Sequence, residues 1–216
     1  MTLAEKLTAV AENQQAVYDA GAEKGERDWW EYYQSEYRGH TYQQLRTNYL
    51  YAFAGPAWDD GNYHPIHPIT PTSNAQNIYS YSGITDTKVS IDLTGDALSN
   101  CYNMFAYATK LKTVRLLRVS DKVSMSNHFT ECTALENLTV EGVIAKNAYF
   151  HWCKHLTTAS MKSVIGCLKN FSGTGSENTC TLKFHADCWA RLEAEGAAPN
   201  GGTWKSYVQS LGWVIG

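Results

Sequence analysis

Between residues 79 and 161 the apolar side chains recur in one fixed order. Phe105-x5-Leu111-x2-Val114-x-Leu116 returns as Phe129-x5-Leu135-x2-Leu138-x-Val140, and again as Phe150-x5-Leu156-x2-Ala159-x-Met161. A weaker copy precedes them through Tyr79, Ile84, Thr87 and Val89. The leading Ile84, Leu111, Leu135 and Leu156 stand 27, 24 and 21 residues apart. Alternation after each leading residue predicts one short strand per unit, and the aromatic predicts an anchored return loop. A unit this small cannot bury its apolar face alone, so the spacing predicts units stacked on one another. Ala108, Cys132 and Cys153 follow each aromatic by three residues. They predict a column of small interior side chains in which Cys is a compact hydrophobe. The polar residues of the strands, Lys88, Arg115, Thr139 and Ser160, are expected to point outward as one row.

The pattern then changes. Met161, Val164, Ile165 and Leu168 follow helical spacing and predict an amphipathic helix over 159–169. Cys180 to Phe184 alternates as a strand. Asp187 is expected to cap a helix ending before Gly196, and Thr203 a second ending at Gly212. Trp213, Val214 and Ile215 would close a terminal cap over 161–216. At the other end, Thr2 and Glu5 form a capping box. Leu3, Leu7, Val10, Gln14 and Val17 then give a seam of about two heptads. Such a short helix is not stable alone and must pack on its own body or on copies of itself. Gln14 at a seam position favours self-association, with residues 1–40 as a helical oligomerisation or attachment segment. Residues 41–75 are aromatic and Pro-rich, and lead irregularly into repeats over 76–160.

Periods of 20–29 residues around a Leu-x2-Leu-x-Leu core characterise leucine-rich repeats. The expected fold is therefore α/β: a short leucine-rich-repeat solenoid with an α/β C-terminal cap, preceded by an N-terminal α-helix forming a coiled coil. Three stretches resemble BspA-type leucine-rich-repeat proteins of Gram-positive gut bacteria and their phages: Phe129 to Leu138, Leu156 to Leu168, and Leu211 to Ile215. The opening from Met1 to Gly21 resembles openings of prophage proteins that carry such repeats. The resemblance spans roughly residues 1–25 and 48–216 and implies a surface-exposed or virion-borne binding module. It implies no catalytic motif. The expected protein is thus a phage or prophage virion component, tail- or fibre-associated, made in the bacterial cytoplasm without a signal peptide. Its expected partners are itself as a homo-oligomer (a trimer preferred to a dimer), other virion proteins, and a host-surface glycan or protein. A purely architectural virion subunit and a bacterial protein-interaction or adhesion module are the alternatives.

Composition sharpens this division. Of the 39 charges, 12 fall in the first 38 residues, eight acidic and four basic; the remaining 27 sum to +1 within a net charge of -3. A charged head therefore precedes a charge-poor body. No basic excess exists to neutralise a phosphate backbone, so nucleic acid is not expected as a partner. The longest uncharged aromatic-apolar run, Tyr49 to Trp58, is far short of the ~20 residues that span a bilayer, so membrane insertion is not expected.

Candidate chemistry is sparse. His151-Trp-Cys-Lys-His155 and His185-Ala-Asp-Cys188 have ligand-like local spacing. Two of the cysteines, 132 and 153, are already explained by the small-residue column, and neither a metal nor a cofactor is expected. All six cysteines are expected as thiols. Asp59 and Asp60 beside His64 and His67 read as a solvated turn, because alternating oxygen ligands for calcium are missing. No nucleophile elbow, phosphate loop or metalloprotease motif occurs, so an enzyme is not expected. The 14 Tyr and 7 Trp are more informative. Such rings give rigid, amphipathic contact area. Trp58, Tyr63, Tyr149 and Trp152, with Arg115 and Thr139 on the strand row, are the candidate ligand-binding residues.

Overall fold

The predicted alternation does produce strands. In a computed structural model of the chain, which describes residues 68–71, 74–98 and 101–216, β1 (Ser90–Leu93), β2 (Thr113–Val119) and β3 (Asn137–Gly142) pair in parallel in that order. A second parallel sheet joins β4 (Ala148–Phe150), β5 (Thr181–Phe184) and β6 (Val214–Ile215). The fold is mixed α/β with two small parallel sheets. The head with its seam, most of the Pro-rich lead-in, and the Asp59–His67 region lie outside the described residues.

The core follows the repeat. Ile84, Leu111, Leu135 and Leu156 are fully buried, as are Ala108, Cys132 and Cys153. The aromatic anchors stack face to face along the molecule. Tyr79 lies 5.6 Å from Phe105, Phe105 5.2 Å from Phe129, and Phe129 5.2 Å from Phe150. Phe184 extends the ladder, 5.5 Å from Phe150. Each buried ring contributes roughly 1.5–3 kcal/mol by leaving water, and each stacked pair adds roughly 0.5–1.5 kcal/mol. Backbone bonds tie the same turns together. Tyr79 N–H donates to Met104 O at 2.7 Å, and Phe105 N–H to His128 O at 3.0 Å.

One strand register departs from the expected alignment. Val114 faces Leu138, but an irregularity then sets Leu117, not Leu116, opposite Val140. Leu117 is buried while Leu116 is half-buried, so the bulge keeps the larger part of the apolar set inside. β3 ends on Gly142, whose φ is +101° and whose absent Cβ would fall 2.0 Å from Val119 O. Only glycine permits that approach.

The third repeat copy does not make a strand. Thr157 caps a helix instead, α1 (Thr158–Gly166), accepting a bond from Ser160 N–H. Ser160 is accordingly not part of an outward polar row. Its hydroxyl is buried and bridges Leu138 N–H at 2.9 Å and Glu136 O at 3.0 Å. Ser163 does the same for Val140, its hydroxyl lying 2.8 Å from the N–H and 3.1 Å from the carbonyl. Two serines on one helix face thus satisfy the free side of β3, where another strand would otherwise be needed.

The rest of the terminal region packs on this end. α2 (Ala186–Ala194) is capped by His185, whose Nδ1 accepts from Asp187 N–H at 3.1 Å. The cap is therefore the histidine, and Asp187 sits inside the first turn, where its charge suits the helix dipole. From α2, Arg191 donates to Lys154 O and Leu156 O at 2.8 and 2.9 Å. Thr203 caps α3 (Trp204–Ser210) as its position predicts, and the Glu193 carboxylate accepts from the N–H groups of Trp204 and Lys205. Trp213 is fully buried and donates to Lys169 O at 2.8 Å.

Candidate functional site

A second column of side chains accompanies the buried ladder on the outside. Two residues after Tyr79, Phe105, Phe129 and Phe150 stand Tyr81, Tyr107, Glu131 and Trp152. Tyr81 is 61% exposed, Tyr107 43% and Trp152 39%. The rings of Tyr81 and Tyr107 stack on one another, 4.7 Å between centroids and 5° from parallel. Their backbone is fixed between rungs: Tyr81 N–H donates to Ala106 O at 2.9 Å, and Tyr107 N–H to Thr130 O at 2.8 Å.

The backbone at three of these positions is left-handed. φ is +59° at Tyr81, +63° at Tyr107 and +57° at Glu131. Gly or Asn would hold this conformation with less strain, of order 1 kcal/mol for a bulky residue. Asn77 and Asn103, also left-handed, show the economical choice at a neighbouring position of the same turns. The tyrosines are thus not what the turn favours, and their exposed rings add little to the core.

The fourth rung differs in detail. Trp152 lies beside His151, ring centroids 5.1 Å apart. Burial lowers the His151 pKa, and Lys183 lowers it further, against an opposing pull from Glu131. The influence of Glu131 on His151 puts the two rungs within electrostatic reach. The Glu131 carboxylate itself makes no hydrogen bond or ion pair with any described residue.

No family model, curated protein or solved structure matches this chain. Its site is therefore read from its own geometry alone.

The sequence-derived candidates fall into two separate pairs. Arg115 and Thr139 are both exposed on neighbouring strands. Arg115 is engaged, however. Its Nε donates to Asp86 Oδ1 at 3.0 Å and its Nη2 to Oδ2, a bidentate clamp. Partial burial pushes the Asp86 pKa up, but Arg115 and the Lys88 N–H outweigh it and hold the carboxyl below its usual range. Tyr149 and Trp152 flank Phe150. Tyr149 is half-buried with the Lys183 ammonium 4.8 Å over its ring, so that face is already occupied. Trp58 and Tyr63 lie outside the described residues. Of the four described candidates, Trp152 alone joins the outer aromatic column.

The histidines and cysteines do not converge. Among the described residues, no three His, Cys, Asp or Glu side chains are placed to share a metal ion. All six cysteines are free thiols. Cys132 donates to Phe105 O at 3.0 Å and Cys188 to Cys153 O at 3.2 Å. Burial raises the Cys132, Cys153 and Cys188 pKa values, which keeps them protonated. A solvent-open cleft of about 450 Å³ lies between Lys146, Asn147, Lys169 and Thr179. Asn147 Oδ1 is spent there on Thr181 N–H at 2.9 Å. Among the described residues, no helix is long and apolar enough to cross a membrane.

Sequence reasoning missed Tyr81, Tyr107 and Glu131. The signal was present in the repeat itself, as a fixed offset of two residues from each aromatic anchor.

Proposed function

We propose that this chain is a phage or prophage virion protein, tail- or fibre-associated, with a body that is a short leucine-rich-repeat solenoid for host-surface binding. The N-terminal seam assembles it as a homo-oligomer, with a trimer preferred. One observation carries the binding role. Exposed aromatic side chains, Tyr81, Tyr107 and Trp152, follow the buried ladder at a fixed offset of two residues, and at Tyr81 and Tyr107 the left-handed turn would favour Gly or Asn. The parallel strand pairing and 21- to 27-residue spacing support the repeat reading. The resemblance of residues 1–21 and of the repeat stretches to prophage BspA-type proteins supports the virion setting. Linking several weak sites on one oligomer gives avidity without any new contact.

Light scattering of the full chain and of a form lacking residues 1–20 tests the assembly. The full chain should be an oligomer and the truncated form a monomer. Fluorescent full-length protein should label intact Gram-positive cells, and the truncated form should label them at least tenfold more weakly. A full-length monomer that labels no cells sinks the reading.

A further inference from the structure

The outer column has a chemistry of its own. Tyr107 and Trp152 are separated by the single non-aromatic rung, Glu131. In the buried ladder alongside, the corresponding spacings are 5.2 Å from Phe105 to Phe129 and 5.2 Å from Phe129 to Phe150. The anchors that carry Tyr107 and Trp152 are thus two ladder steps apart, with Glu131 on the rung between them. Saturated sugar rings present C–H faces that pack on aromatic side chains, so a row of exposed rings suits them. The Glu131 carboxylate makes no hydrogen bond or ion pair among the described residues and accepts only. Vicinal hydroxyls are donors matched to it.

Charge narrows the ligand further. Glu131 is the only formally charged member of the four-residue column. A carboxylate repels phosphate and carboxylate groups, which disfavours acidic polysaccharides and nucleic acid at this position. The left-handed backbone at Tyr81, Tyr107 and Glu131 is a second, independent observation. Three successive rungs keep bulky or charged side chains where the turn favours Gly or Asn, and none of the three serves the core.

We infer that Tyr81, Tyr107, Glu131 and Trp152 form a carbohydrate-binding row that takes an uncharged oligosaccharide, one sugar ring lying over Glu131 between Tyr107 and Trp152. The inference deepens the reading of the body as a host-surface module and names the ligand class and the residues. Tyr81 backs Tyr107, holding its ring by stacking at 4.7 Å, and is a positioning residue.

The test uses the full chain and a printed panel of purified neutral, N-acetylated, cationic and acidic oligosaccharides, with choline and a Lys-rich peptide as further arms. Binding is confirmed by titration calorimetry. The variants are Tyr107→Asn, Trp152→Ala, Glu131→Gln and Tyr81→Asn. Asn holds the left-handed backbone, so its variants keep the fold, and thermal melting of each variant verifies this. Wild type should bind neutral or N-acetylated members. Tyr107→Asn and Trp152→Ala should weaken binding at least tenfold, Glu131→Gln several-fold, and Tyr81→Asn two- to threefold. Equal binding by wild type and the folded Tyr107→Asn and Trp152→Ala variants overturns the row. So does binding confined to acidic sugars, choline or peptide. Cell labelling separates the two proposals: cells labelled equally by all variants leave the host-surface module and remove the row. Sugar binding lost in the variants, with no cell labelling by wild type, leaves the row and removes the module.

Discussion

The inner and outer aromatic columns sit two residues apart on the same turns, yet they answer to different demands. The inner column, Tyr79, Phe105, Phe129, Phe150 and Phe184, is buried and stacked at 5.2–5.6 Å. Each ring there is both an apolar load and a spacer that sets the rise from one unit to the next. The outer column carries exposed rings, and at Tyr81 and Tyr107 they stand on a left-handed backbone that would be less strained without them. The difference separates residues that make the fold from residues the fold merely holds out. Regularity alone does not distinguish them; burial together with backbone preference does.

Removing an inner ring should cause the largest loss. Phe129 is stacked on both sides, so Phe129→Ala should cost about 3–5 kcal/mol in denaturant unfolding. A cost below 1 kcal/mol would mean the ladder does not set the packing.

An acid titration tests the inner side from a second direction. His128 is fully buried, with no hydrogen-bond partner on either ring nitrogen among the described residues, and burial lowers its pKa to about 4. The unfolded chain, with a His pKa near 6.5, binds the extra proton between those two values. Stability is therefore complete above about pH 6.5 and falls as pH drops toward about 4. Linkage gives a loss of about 2 kcal/mol between pH 7 and pH 5 from this residue. His128→Met should flatten that slope in paired urea titrations; an unchanged slope would assign the acid sensitivity elsewhere.

Ser160 marks where the inner and outer sides meet. Ser160→Ala leaves Leu138 N–H and Glu136 O without their bridge and should cost about 1–2 kcal/mol. Amide exchange at Leu138 should rise with it. The smallest effect belongs to the outer column. Tyr107→Asn should leave stability within about 0.5 kcal/mol of wild type, or raise it. A loss near that of Phe129→Ala would dissolve the distinction between the columns.

Much of the fold was legible because the repeat fixes burial wherever residue type, offset and period agree. Ile84, Leu111, Leu135, Leu156 and the Ala108–Cys132–Cys153 column are all buried. At the third copy two readings competed. The Met161–Val164–Ile165–Leu168 spacing predicts the helix that forms, α1, whereas the repeat offset put Ser160 on an outward strand row; Thr157 caps the helix and Ser160 turns to β3 instead. Leu116 misled for a related reason, since a one-residue bulge reverses which neighbour faces inward. At the candidate site, Trp152 stood out by rarity. Tyr81 and Tyr107 did not, because tyrosine is abundant in this chain and φ is invisible in a sequence. Asp187 is not the cap because the helix begins one residue before it, at Ala186, and His185 accepts from the Asp187 N–H.

The buried thiols have a consequence for the life of the molecule in air. Cys132, Cys153 and Cys188 are screened from solvent, bonded to carbonyl oxygens and held protonated. Oxidants act on exposed thiolates, so this interior offers them almost no reactive sulfur. These three cysteines act as fillers with a weak donor and should pass from a reducing to an oxidising medium unchanged, which leaves the partly exposed Cys101 and Cys167 as the thiols an oxidant can reach.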